Sequence, residues 1–299
     1  MEFQHIEVQP GIHLSCRVAG PVDAPVLVFL HGFPEAAFVW DAMLAHFGKR
    51  FRCVAPNLRG FADSSAPVGT EAYRVKHLTA DLLGLMRAVS PGKPLAALIA
   101  HDWGGAVAWG FAVQHAATIK RLVIINSPHP ATFLRELQHS PAQQAASSYM
   151  NFLCRPDAQK LLMENDFARL WPFFTNTDAP ASDLPSQNWL TEAVKDQYRA
   201  VWNQGLNGAL NYYRASPLKP PLTATDAVMK LQFTPEFVTV NVPTLVIWGE
   251  ADIALPPPLL DGLEAFVPQM KLVRVPGASH WIVHEQPQRI AAEIDGFLS

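Results

Sequence analysis

LAALIAHDWGGAVAWG, residues 95–110, decides the reading of this chain. An apolar run, Leu95 to Ala100, enters His101, Asp102, Trp103, Gly104 and Gly105, and helical spacing resumes from Gly104 to His115. A strand that turns sharply into a helix needs small neighbours around the bend, and Ala100 and Gly104 stand two residues on either side of Asp102. The start of the following helix offers free N–H groups and partial positive charge, which favour an exposed carboxylate at the bend. An Asp before a helix is commonly only a cap. Here a buried strand leads in, two glycines follow, and a second strand–turn motif lies upstream, so the carboxylate is read as chemistry.

Working outward, further apolar β-like runs fall at Val26–Leu30, Phe51–Ala55, Arg121–Ile125, Thr244–Trp248 and Lys271–Val275, with a second helical segment from Leu78 to Val89. Strands without a polar face of their own, alternating with helices, predict an α/β fold whose mostly parallel sheet is covered on both sides. Between about Ser127 and Thr239 such runs vanish. Aromatic residues take over (among them Phe133, Tyr149, Phe173, Tyr198, Trp202 and Tyr213), and prolines break the pattern at Pro180, Pro185 and from Pro217 to Pro221. This predicts a helical insertion, residues 127–239, between two parts of a core made of 1–126 and 240–299. Its aromatics pack a core of their own and can also roof a pocket.

Composition narrows the function. The 299 residues are 49% hydrophobic and 16% charged, below the roughly 25% charged of an average soluble domain. A net charge of −3 without a basic run argues against nucleic acid as a partner. The longest apolar stretches reach about seven residues, far short of the roughly 18 that a membrane span requires. The first residues, MEFQHIEVQPG, lack the pattern of a signal peptide. Three scattered cysteines, Cys16, Cys53 and Cys154, form no disulfide framework or zinc site, and a reducing cytoplasm is the expected location. A homodimer is left open.

Three more loops carry polar residues just after strands. VLVFLHGFPEAAFVW, residues 26–40, runs from a strand into His31, Gly32, Phe33 and Pro34. Near the other end, Asp252 follows the strand at 244–248 and His280 follows the strand at 271–275. Nucleophile, acid and histidine in that chain order match the order used on one hydrolase fold. His280 and His284 are spaced as a helical metal pair, but no third ligand is spaced to join them, so neither metal nor cofactor is expected.

With these residues in view, the chain resembles the α/β-hydrolase superfamily and, within it, the epoxide hydrolases. The carriers are HGFPE at 31–35, NLRGFADSS at 57–65, HDWGG at 101–105, WGEAD at 248–252 and GASHWIVHEQP at 277–287. The resemblance implies an α/β-hydrolase fold with an inserted helical cap. It implies Asp102 as nucleophile, His280 as base, Asp252 as the acid orienting that base, and an oxyanion hole from the N–H groups of Phe33 and Trp103. Gly32, Pro34, His31 and Gly104 would shape those loops. Two cap tyrosines are implied as acids: Tyr213, which precedes Arg214 in LNYYRASP, and Tyr149, which opens YMNFLCRPDA. Asn57 departs from the Asp more usual in the family. Phe33 and Trp103 differ from the Asn of haloalkane dehalogenases and the Arg of fluoroacetate dehalogenases at the corresponding places.

An aspartate nucleophile selects the chemistry. A serine opening an epoxide would end as an ether that the enzyme could not hydrolyse. An aspartate forms an ester whose own carbonyl water can attack, with a histidine taking the proton. An epoxide oxygen leaves as a basic alkoxide and needs an acid, and a tyrosine with an ordinary pKa of about 10 stays protonated at neutral pH. The expected reaction is a small apolar epoxide plus water to a vicinal diol. A haloalkane or haloacid dehalogenase is the alternative on the same fold, and a scaffold that binds an apolar ligand without turnover is a second.

Overall fold

The computed structural model describes residues 1–175 and 189–299; Pro180 and Pro185 lie outside them. Eight strands form one sheet in the order β1-β2-β4-β3-β5-β6-β7-β8. They are β1 (Glu2–Gln9), β2 (Ile12–Ala19), β3 (Val26–Leu30), β4 (Arg52–Pro56), β5 (Ala97–His101), β6 (Leu122–Ile125), β7 (Thr244–Gly249) and β8 (Met270–Val275). Every residue of β3 to β7 is buried, which is why these strands read as continuous apolar runs without alternation. From β4 to β8 all pairings are parallel, while β1 with β2 and β2 with β4 pair antiparallel.

The chain thus adopts the α/β-hydrolase fold, a mostly parallel sheet flanked by helices. The β1–β2 hairpin is the part that the apolar runs did not announce. These outer strands alternate instead, with Leu14, Cys16 and Val18 buried, and Gly11 at φ +73° turns the chain between them. That alternation, together with Pro10-Gly11, was the available signal.

Three helices pack on the sheet early in the chain: α1 (Asp41–Phe47), α2 (Val75–Val89) and α3 (Trp103–Gln114). Among the described residues no strand falls between β6 and β7. That stretch holds α4 (Pro130–His139), α5 (Pro141–Ala146), α6 (Tyr149–Leu153), α7 (Ala158–Phe167), α8 (Trp171–Thr175), α9 (Glu192–Trp202) and α10 (Asn207–Ala215). Two more helices, α11 (Ile282–Glu285) and α12 (Pro287–Leu298), follow β8. No helix among the described residues is long and apolar enough to cross a membrane.

Parallel strands bring their carboxyl ends to one edge of the sheet, where open α/β sheets bind ligands. The loops after β3, β5, β7 and β8 carry Phe33, Asp102, Asp252 and His280 to that edge. A buried ion pair braces the same end. Arg59 donates Nε to Asp81 Oδ2 at 2.7 Å and Nη2 to Asp81 Oδ1 at 2.6 Å, with both side chains 5% exposed. Tyr212 of α10 donates its hydroxyl to the Arg59 carbonyl at 2.9 Å, so the pair also seats the helical segment. Arg59→Met strands the Asp81 carboxylate in the interior. The expected loss is about 3–5 kcal/mol of unfolding free energy by urea titration, mostly recovered in Arg59→Met/Asp81→Leu.

Candidate active site

The backbone at Asp102 has φ +49° and ψ −123°, a conformation that costs an L-residue of order 1–3 kcal/mol. Its neighbours hold it there. A Cβ on Gly32 would meet the Asp102 side chain at 2.2 Å, and one on Gly104 would meet the Leu30 carbonyl oxygen at 2.5 Å. Only glycine lets the β3 loop and α3 approach so closely. Ser127 Oγ donates to the Asp102 carbonyl at 2.6 Å and pins the turn from the β6 side.

The carboxylate oxygens of Asp102 have different surroundings. Oδ1 accepts the Phe33 N–H at 2.7 Å, while Oδ2 faces His280 Nε2 at 3.7 Å. The Trp103 N–H begins α3 and makes no hydrogen bond to this carboxylate. Phe33 is presented by a loop with a cis Phe33–Pro34 peptide bond. His31, fully buried, shapes that loop: Nδ1 donates to the Gly32 carbonyl at 2.9 Å and Nε2 accepts the Leu58 N–H at 3.0 Å. Burial holds its pKa down to about 4. Asn57 accepts the Ala37 N–H at 2.8 Å, a turn-building contact away from the reacting groups.

His280 Nδ1 lies 2.7 Å from Asp252 Oδ2, so it carries the hydrogen there and leaves Nε2 toward Asp102. The same oxygen accepts Asn126 Nδ2 at 2.8 Å, and Oδ1 accepts the N–H groups of Ala254 and Leu255, both at 2.9 Å. Burial works against charge on the imidazole. The charge and hydrogen bond of Asp252, followed by the charges of Asp102 and Glu35, outweigh it and raise His280 from 6.5 to about 9.

Asn126 escaped the sequence reading. It follows β6 at φ +37° with its side chain fully buried, and it also accepts the Gly249 N–H at 2.8 Å. An asparagine directly after four apolar strand residues, where a left-handed turn is tolerated, was the signal. His280 and His284 do not converge as a metal pair, since His284 Nε2 lies 2.6 Å from Glu35 Oε1.

A cavity of about 360 Å³ joins these groups. Asp102, Asp252, His280, Phe33, Tyr149 and Tyr213 all line it, with Phe173 and Trp281 among its apolar walls. Tyr149 opens α6 and Tyr213 lies in α10, with ring centroids 6.2 Å apart. Tyr213 also packs edge-on against Phe33 at 5.3 Å and Trp103 at 5.0 Å. Burial and the nearby charges of Asp102 and Asp252 push the Tyr149 hydroxyl far above its ordinary 10. Burial, then Tyr149 and Asp102, does the same to Tyr213. Both hydroxyls therefore keep their protons at neutral pH, where they can donate.

A carboxylate at a strained strand–helix turn, facing an Asp-backed histidine under two tyrosines, defines a hydrolase of the α/β-hydrolase class. A family model of the alpha/beta hydrolase fold matches residues 25–287. Epoxide hydrolase 3 of Xenopus tropicalis is 31% identical over 290 residues, 96% of this chain and 75% of that protein. The AB hydrolase superfamily protein YfhM of Bacillus subtilis (strain 168) is 34% identical over 281 residues, 93% of this chain and 91% of that protein. The crystal structure of Bacillus megaterium epoxide hydrolase with an inhibitor matches at TM-score 0.87 and 31% identity, covering 99% of each chain. The chain belongs to the epoxide hydrolase family of α/β hydrolases.

The raised pKa has a thermodynamic signature. A histidine at about 9 when folded and 6.5 when unfolded contributes stability that is fully present below pH 6.5 and is lost as pH rises through 9. The stability difference between the wild type and His280→Gln, measured by denaturant unfolding, is expected to shrink across that window.

Proposed function

We propose that this protein opens apolar epoxides to vicinal diols through an ester on Asp102. The observation that carries the proposal is one cavity lined by Asp102, the Asp252-supported His280 and two tyrosines whose hydroxyls stay protonated. Halide departure needs no proton, so a pair of protonated phenols on the cavity favours the epoxide over the dehalogenase reading. The helical segment 127–239 acts as the cap that supplies those phenols. Three free thiols fit a reducing cytoplasm.

The chemistry follows from which oxygen is held. Oδ1 of Asp102 is tied to the Phe33 N–H, and Oδ2 is free to attack the epoxide carbon. As the C–O bond of the ring breaks, Tyr149 or Tyr213 gives its proton to the departing oxygen. Asp102 is now a neutral ester, so one of the charges that kept His280 protonated has gone. The imidazolium loses its proton, which restores the tyrosine, and the neutral base appears only once there is an ester to hydrolyse.

Water then attacks the Asp102 carbonyl carbon while His280 Nε2 takes one of its protons. Negative charge develops on Oδ1, where the Phe33 N–H already points. Such a donor typically contributes about 3 kcal/mol to barrier lowering. Collapse of the tetrahedral intermediate transfers the other water proton to the alcohol oxygen and frees the diol. Asp102 returns as carboxylate and His280 as imidazolium. The net change is epoxide plus water to diol.

His280→Gln should stop the cycle at the ester, so the intact mass of the protein rises by the mass of the epoxide. A wild-type single turnover in oxygen-18 water should place the label in the Asp102 carboxylate and not in the diol. An unmodified mass under saturating epoxide, or label confined to the diol, overturns the covalent route. Tyr149→Phe/Tyr213→Phe should abolish ring opening, a loss of at least about a hundredfold in the alkylation rate, with unchanged circular dichroism. Full activity in that double variant would remove both tyrosines from the scheme.

A further inference from the structure

A buried polar cluster that the steps above leave unused lies next to the base. Its centre is Glu35, the last residue of HGFPE, fully buried in the loop after β3. Glu35 Oε1 accepts the Tyr198 hydroxyl of α9 at 3.0 Å and lies 2.6 Å from His284 Nε2 of α11. Glu35 Oε2 lies 3.2 Å from His101 Nδ1, and His101 Nε2 donates to the His280 carbonyl oxygen at 2.9 Å. The His101 and His280 rings pack with centroids 4.7 Å apart. Burial opposes the Glu35 charge, but His284 and His101 outweigh it and hold the carboxyl well below its ordinary range.

Other contacts of the helical segment converge on the same place. Trp202 of α9 donates Nε1 to the Pro34 carbonyl at 2.7 Å, one residue from Glu35. Trp189 stacks on His284 at 4.2 Å with planes 10° apart. In return Trp281, next to the base, donates Nε1 to the Phe173 carbonyl at 2.8 Å.

We propose that Tyr198 and His284 are positioning residues for His280, gripping Glu35 from two sides so that it holds His101 against the loop on which the base is mounted. The reasoning is geometric. Asp252 fixes the imidazole at Nδ1, but the backbone beneath it is held at its carbonyl by His101, and His101 is aimed by Glu35. Loss of a hydrogen bond to a buried carboxylate lets that carboxylate turn, and the shift passes through one imidazole to the His280 backbone. Asp102, Tyr149 and Tyr213 have no hydrogen bond to this cluster, so ester formation should not feel it. Ester hydrolysis, which depends on His280 Nε2, should.

The proposal rests on the covalent route above, and the test separates the two. Single-turnover mixing with styrene oxide or 1,2-epoxyhexane, quenched and read by intact mass, resolves ester formation from ester hydrolysis. Tyr198→Phe and His284→Ala are expected to slow hydrolysis about tenfold while ester formation and kcat/KM stay within about twofold, so the ester accumulates in the steady state and KM falls with kcat. His284→Gln keeps an N–H donor for Glu35 and should restore hydrolysis. A structural role in folding or in seating the segment would slow ester formation as well, because Tyr149 and Tyr213 belong to that segment. Equal slowing of both steps, or unchanged hydrolysis in Tyr198→Phe and His284→Ala, overturns the proposal. Absence of any ester in His280→Gln instead overturns the covalent route.

Discussion

A side chain held at φ +49° between a fully buried strand and a buried helix is the constraint on which the rest of the structure depends. The turn lifts the Asp102 carboxylate clear of the sheet edge while its backbone stays packed. That conformation survives because everything around it is over-determined: glycines at 32 and 104 where a methyl group would collide, a serine hydroxyl on the Asp102 carbonyl, and the Phe33 N–H on one carboxylate oxygen. The β3 loop, the start of α3 and the end of β6 are thus shaped by one residue's backbone, and the cost of strain at that residue is met by close packing.

Electrostatics tie the opposite wall to the same residue. His280 stands between two carboxylates, hydrogen-bonded to Asp252 and 3.7 Å from Asp102. Asp252 is saturated by Asn126, two backbone N–H groups and the imidazole, so its place is set by the fold. Asp102 is the partner whose charge changes when an ester forms. On the covalent route proposed above, esterification of Asp102 removes one of the charges that raise His280 and so lowers its proton affinity. This follows from Coulomb attraction in a poorly solvated site and needs no moving part.

Among the described residues, three aromatic side chains with polar tips tie the helical segment between β6 and β7 to loops of the core. Tyr212 reaches the Arg59 carbonyl, Trp202 the Pro34 carbonyl and Tyr198 the Glu35 carboxylate. Each ring is buried while its one polar atom finds a partner in the core loops. Tyr149 and Tyr213 differ in that they line the cavity shared with Asp102. Aromatic clustering along 127–239 therefore had two meanings at once, packing and chemistry, and composition alone could not divide the tyrosines between them.

Much of this was legible along the chain. Strands β3 to β7 announce themselves because a sheet covered on both faces leaves no polar alternation, so burial is written into consecutive residues. The bend at Asp102 announces itself because small residues must stand at fixed offsets from it. The antiparallel hairpin of β1 and β2 was harder, since half-exposed strands mix polar and apolar residues as loops do. Asn126 and the cluster of Glu35, His101, Tyr198 and His284 were not legible at all as partners. Their separations along the chain, 126 residues from Asn126 to Asp252 and 163 from Glu35 to Tyr198, place them in contact only through strand order and the seating of the helical segment. Local pattern carries the elements, the sharp turn and the carboxylate that stands on it, because those obey short-range steric and burial rules. Which distant acids, imidazoles and phenols meet around that carboxylate, and with what proton affinity, is a property of three-dimensional proximity and of the solvent that packing excludes.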